Sequence, residues 1–192
     1  MTNRRLNADT QKLVYLAILT SLVVVLQVVA NVTGVALPVP ITLTLVPIVM
    51  SAAVCGKYAG AWLGFVFGIV ILLTGAAEPF FTWNPIGTIV TVIIKGMLAG
   101  LVAGFAYALL ERVNKYLAIA VSGIVAPVVN TGIFILGCYL FFFDDLSALA
   151  GGNNLFLFII LTMAGINFLI ELGINAVLAP AILSLVNYLK KK

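Results

Sequence analysis

The sequence predicts an all-α integral membrane protein, a single domain over residues 1–192 built as a bundle of six transmembrane helices with both termini cytoplasmic. Three observations predict it. Hydrophobic residues fill 64% of positions and charged residues only 8%, against about 25% charged in soluble domains, and mean hydropathy is +1.25. So few charges cannot coat a water-facing surface, so lipid must be the solvent. The apolar residues gather into runs of spanning length, and the remaining charges are sorted by side.

A spanning helix needs about 20 apolar residues, with a range of roughly 17–25. The first span, about 13–33, opens with "LVYLAILTSLVVVLQVVANV" and is broken by "GVALPVP", whose two prolines end or redirect a helix. A shorter apolar stretch, about 41–55, precedes the break "GKY", and the third span covers about 58–75. "GAAEPFFTW" (75–83) reads as a loop. Asn84 and Pro85 then mark a helix start, an N-cap amide followed by a proline at the first helical position. The fourth span is about 85–110 and the fifth about 117–143, with "ERVNK" between them. "DDLSALAGGNN" reads as the next loop, and the sixth span, about 155–188, is bent or stopped near Pro180. Residues 1–12 are polar and basic like the start of a signal peptide. The apolar run behind them is too long for one, so the segment reads as a retained first helix.

Charge placement tests the assignment. With the N-terminus in the cytoplasm, Arg4, Arg5, Lys12, Lys57, Arg112, Lys115 and Lys190 to Lys192 all fall inside. The three outer loops hold Glu78, Asp144 and Asp145 and no lysine or arginine, as the positive-inside rule requires. Only Lys95, in "TVIIKGMLAG", is left over. The net charge of +4 is therefore topological and gives no reason to expect a nucleic-acid partner.

Several chemistries drop out. The chain has no histidine, which removes histidine-ligated zinc and Ser–His or Cys–His catalysis. "AAVCGKY" lacks the first glycine and the Ser/Thr of a phosphate loop, so the chain should not hydrolyse ATP itself. Cys55 and Cys138 lie in apolar context without CxxC spacing and read as small buried residues. No enzyme activity, metal or cofactor is implied.

Two patterns remain. Gly56, Gly60, Gly64 and Gly68 recur at every fourth residue, as do Gly96, Gly100 and Gly104, and Ala17 and Ser21 form a similar small pair. Such rows let backbones approach closely, either within the bundle or against a partner membrane protein. The second pattern is polar residues at depth. The midpoint of 85–110 lies near Lys95, that of 117–143 is Asn130, and that of 155–188 lies beside Glu171, flanked one turn away by Asn167 and Asn175. An ionisable group there costs about 2.5–3.5 kcal/mol on insertion scales unless it is paired or hydrated, so it faces the bundle interior. Lys95 and Glu171 either neutralise each other and fasten two helices, or meet a polar ligand. Trp83, Phe81 and Tyr139 read as interface aromatics, and the first two, beside Asn84, could also cover a cavity above Lys95.

A small six-span chain with basic inner loops, the pair in "LAILTSL" and a polar centre resembles the substrate-binding (S) components of energy-coupling factor (ECF) vitamin transporters. The second small residue is Ser21 where that family usually has alanine. "NPIGTIVTVIIKGMLAGLVAGFAYALLERVNKY" and "VAPVVNTGIFILGCYLFFF" look most like the pantothenate-specific type, and "LPVPITLT" is similar to the biotin-type loop. The resemblance implies a high-affinity vitamin-binding subunit in the cytoplasmic membrane of a prokaryote. It would capture vitamin from outside and dock, through Ala17 and Ser21, onto a transmembrane coupling subunit driven by two ATPase subunits. Residues 34–40 and 75–84 would form the outer gate. Lys95, Asn130, Asn167 and Glu171 would bind substrate, with Asn84, Trp83, Phe81 and Tyr139 around them. Biotin and riboflavin remain alternatives, as does a structural or channel-like protein.

Overall fold

The computed structural model describes residues 2–36 and 43–191, and these hold helices and no strand. In order they are α1 (Thr2–Ala36), α2 (Leu45–Cys55), α3 (Lys57–Leu73), α4 (Glu78–Trp83), α5 (Pro85–Leu110), α6 (Lys115–Phe141), α7 (Phe143–Ala150), α8 (Leu155–Phe158), a π-helical stretch Ile159–Ala164, and α9 (Gly165–Lys191). The expected gate at 34–40 falls largely outside the described residues.

Helix starts follow local chemistry. Asn84 Oδ1 accepts from the Gly87 N–H at 2.9 Å with Pro85 behind it, so α5 begins where the sequence predicts. Asn114 caps α6 in the same way, accepting from Tyr116 and Leu117 at 2.9 and 3.1 Å. Two expected loops are themselves partly helical: 75–83 contains α4 and 144–154 contains most of α7. Nor does Pro180 stop the last helix, since α9 runs through it to Lys191.

Four helical stretches among the described residues are long and apolar enough to cross a membrane: Asp9–Val32, Pro85–Leu110, Lys115–Phe141 and Asn167–Leu189. Phe143–Ala150 and Leu155–Ala164 make a fifth only if their 87° bend counts as one crossing. The 11 residues of α2 are short of a full span and the 17 of α3 only reach its lower limit, since about 17–25 residues are needed. Length alone therefore does not reach the expected count of six.

What α2 lacks in length it has in burial. Leu45, Ile48, Val49, Ser51, Ala52 and Ala53 are all buried, and the helix packs against α1, α3, α5, α6 and α9. A helix apolar on every side belongs in the middle of a bundle.

The glycine rows explain the tightest packing. A Cβ at Gly60 would lie 2.5 Å from the Gly100 carbonyl oxygen, and one at Gly64 would overlap the Gly96 carbonyl; the reverse substitutions meet the same partners. Gly60 thus faces Gly100 and Gly64 faces Gly96, so α3 and α5 run antiparallel with backbone against backbone. Internal packing, one of the two readings open from sequence, accounts for both rows except Gly56, which meets no atom within 4 Å and turns the chain between α2 and α3 at φ +104°.

The same contacts fix the ends. Gly104 packs on the Lys57 backbone, and the Cys55 thiol lies 3.6 Å from the Lys12 carbonyl. Lys12, Lys57, Arg112 and Lys115 consequently share one end of the bundle, with α4 at the other.

Candidate functional site

Beside the glycine seam lies a cavity of about 440 Å³ bounded by α1, α3, α5, α6, the π-helical stretch and α9. Four of the residues expected at depth line it together: Lys95 from α5, Asn130 from α6, and Asn167 and Glu171 from α9. Antiparallel pairing sets their common level. Thr91 packs on Gly137 and Gly87 on Phe141, which brings Lys95 level with Phe134 one turn from Asn130. On α9, Gly123 of α6 faces Asn175, which sets Asn167 across from Asn130.

The electrostatics are uneven. The Lys95 ammonium lies 5.2 Å from the centroid of the Phe134 ring, and Glu171 lines the same cavity. Asn130 is 7% exposed and Glu171 6%. The Oδ1 atoms of Asn130 and Asn167 are buried and accept no hydrogen bond among the described residues. A buried acceptor left unpaired costs about 1–3 kcal/mol, so two in one cavity mark a place where a donor is expected.

Three further polar residues line the wall: Gln27 and Asn31 of α1, and Thr131 of α6. Gln27 accepts from the Thr44 hydroxyl at 3.2 Å, and the Asn31 side chain donates to the Thr74 carbonyl at 2.7 Å. Sequence reasoning passed over both α1 amides, although two amides four residues apart in an apolar span are a signal of one inward face. The apolar wall comprises Phe67, Ile71, Phe80, Val92, Phe134 and Met163, with Ala76 and Ala77 from the α3–α4 connection.

The π-helical stretch also contributes. Met163 and Ala164 face the cavity just ahead of Asn167. An i→i+5 turn shifts the helical register relative to the α-helix that follows, and such bulges gather at functional positions.

The remaining candidates do not line the cavity. Asn84 is occupied as the α5 cap. Trp83 packs edge-on to Phe80 at 5.4 Å, in a cluster with Phe142, and Phe81 packs against the main core. Tyr139 is exposed, 6.1 Å from Phe143. Of Phe80, Phe81 and Trp83 in α4, it is Phe80 that reaches the cavity. Asn175 sits below it, 2% exposed, its side chain donating to the Glu171 backbone carbonyl at 2.8 Å.

A helical membrane protein with a hollow of this size, its largely apolar wall carrying a few charged and amide groups, has the form of a small-molecule site. The family model for the substrate-specific component of ECF transporters matches residues 11–183. The chain belongs to that family and is a transporter subunit, not an enzyme. No curated protein and no solved structure matches it. Membership implies a small-molecule substrate and partnership with an ECF module.

Proposed function

We propose that the protein is the pantothenate-binding subunit of its transporter, taking the vitamin into the cavity around Lys95. The observation that carries this reading is the pairing, in one hollow, of a cation with two buried amide oxygens that have no donor among the described residues. Pantothenate offers the complement: a carboxylate, an amide N–H and hydroxyls. Lys95 takes the carboxylate in a charge-assisted bond, strong where water is excluded. Asn130 and Asn167 accept from the amide and hydroxyl groups, and Glu171 accepts from a hydroxyl or balances Lys95 when the site is empty.

The bundle crosses the cytoplasmic membrane six times, with α2 and α3 as short crossings and both termini inside. The gathering of Lys12, Lys57, Arg112 and Lys115 at one end supports this. Docking onto the transmembrane coupling subunit, which two ATPases drive, uses the outer face of α1. There Ala17 and Ser21 are exposed, and the Ser21 hydroxyl folds back to the Ala17 carbonyl at 3.1 Å, leaving a shallow face.

Mass spectrometry of small molecules carried through purification in detergent tests the assignment, followed by titration with pantothenate, biotin and riboflavin. Stoichiometric pantothenate supports the reading. Another vitamin corrects the substrate, and failure to bind any of them leaves Lys95 and Glu171 as a fastening between helices.

A further inference from the structure

The Lys95 ammonium is joined to α4 by a line of aromatic rings. Its neighbour Phe134 meets Phe80 edge-on, with centroids 5.6 Å apart and planes at 86°. Phe80 belongs to α4 and in turn meets Trp83 at 5.4 Å and Phe142 at 5.1 Å. Phe80 and Phe134 both line the cavity, as do Gly75, Ala76 and Ala77 of the connection that carries α4. That connection turns at Gly75, where φ is +74°, and is tied to α1 by the Asn31 bond to Thr74.

We propose that Phe134 is the positioning residue for the bound carboxylate and that it links occupancy of the cavity to the seating of α4. The link to a carboxylate rests on the reading of Lys95 given above. An aromatic face attracts an ammonium through its quadrupole and supplies no oxygen to neutralise it. The ring therefore holds Lys95 from one side and leaves its N–H donors turned to the cavity. When the ammonium draws toward a carboxylate the ring follows it, and Phe80 keeps its edge contact by moving too, because offset and edge-on arrangements are the favoured ones. Leucine at 134 would fill the space without holding the charge.

The test uses a Trp62→Phe background, in which Trp83 is the sole tryptophan. Phe134→Leu should bind pantothenate about tenfold more weakly, the scale of a desolvated cation–π contact, while Phe134→Tyr stays within about threefold of the parent. Pantothenol, in which an alcohol replaces the carboxylate, should bind the parent and both variants alike. Saturating pantothenate should change Trp83 emission in the parent and in Phe134→Tyr but not in Phe134→Leu. Parental affinity and emission response in Phe134→Leu would overturn the proposal, as would an equal loss for pantothenol, which marks a structural defect. If the parent binds no pantothenate, the Lys95 reading has failed and a ligand-free measurement decides the rest. Iodide quenching of Trp83 should then rise in Phe134→Leu and Lys95→Met but not in Phe134→Tyr, and unchanged quenching in all three sinks the link to α4.

Discussion

Helix α5 carries two unlike regions on adjacent residues. Gly96 faces α3, with its backbone against that of Gly64, while Lys95 faces the cavity beside the Phe134 ring. The seam is made of shape alone, and nothing on either side can give way because the obstructing atoms are backbone. The cavity is made of chemistry, with charges and amides around a volume that can tolerate small changes of form. One region should therefore fail by unfolding and the other by losing its ligand.

The largest effect expected is at the seam. Gly64→Leu places its Cβ on the Gly96 carbonyl and forces α3 from α5. Overpacking of this kind costs about 3 kcal/mol or more, read as lost monodisperse protein and a lower thermal midpoint in detergent. A folded Gly64→Leu variant with normal stability would erase the distinction. Next comes Lys95→Met, which should weaken pantothenate binding at least about a hundredfold by calorimetry, because the charge-assisted bond is gone. Its thermal midpoint should fall, since Glu171 is left at depth without the cation that balances it, while the protein stays folded and monodisperse. Normal binding by this variant removes the carboxylate role.

Smaller losses are expected at the amides. Asn130→Leu and Asn167→Leu should each weaken binding about tenfold, the worth of one hydrogen bond to an otherwise unpaired acceptor. Titration of both single variants checks this, and unaltered affinity in both would show that the unpaired oxygens do not meet the ligand. The smallest effect sharpens the seam by contrast. A Cβ at Gly132 or Gly173 meets no atom within 4 Å. Gly132→Ala and Gly173→Ala should shift stability by no more than about 1 kcal/mol, toward the more stable side, as helix propensity dictates. Scanning fluorimetry beside Gly64→Leu measures the difference.

Much of the site was legible because depth in a bilayer can be counted along a helix. The midpoints of three apolar runs found Lys95, Asn130 and Glu171, and all three line one cavity with Asn167. Gln27 and Asn31 were missed because they sit in a span read for its small pair, not for its amides. The aromatic candidates were harder. Phe80, Phe81 and Trp83 are near neighbours in sequence, and the short helix α4 that sends Phe80 inward lies in a stretch with no apolar period to reveal it. The π-helical stretch was equally hidden, because a one-residue change of register leaves composition untouched.

The chain by itself determined its solvent, its helical class and the depth of its polar groups, because burying an unpaired backbone or charge in hydrocarbon is too costly to leave to chance. Tertiary structure decided which face of each helix met which neighbour. Spacing marks a row of glycines without saying what lies against it, and the partner carbonyls at Gly96 and Gly100 come from a helix distant in sequence. The same holds for the hollow beside Lys95, since a void belongs to no residue and exists only where several helices fail to fill the space between them.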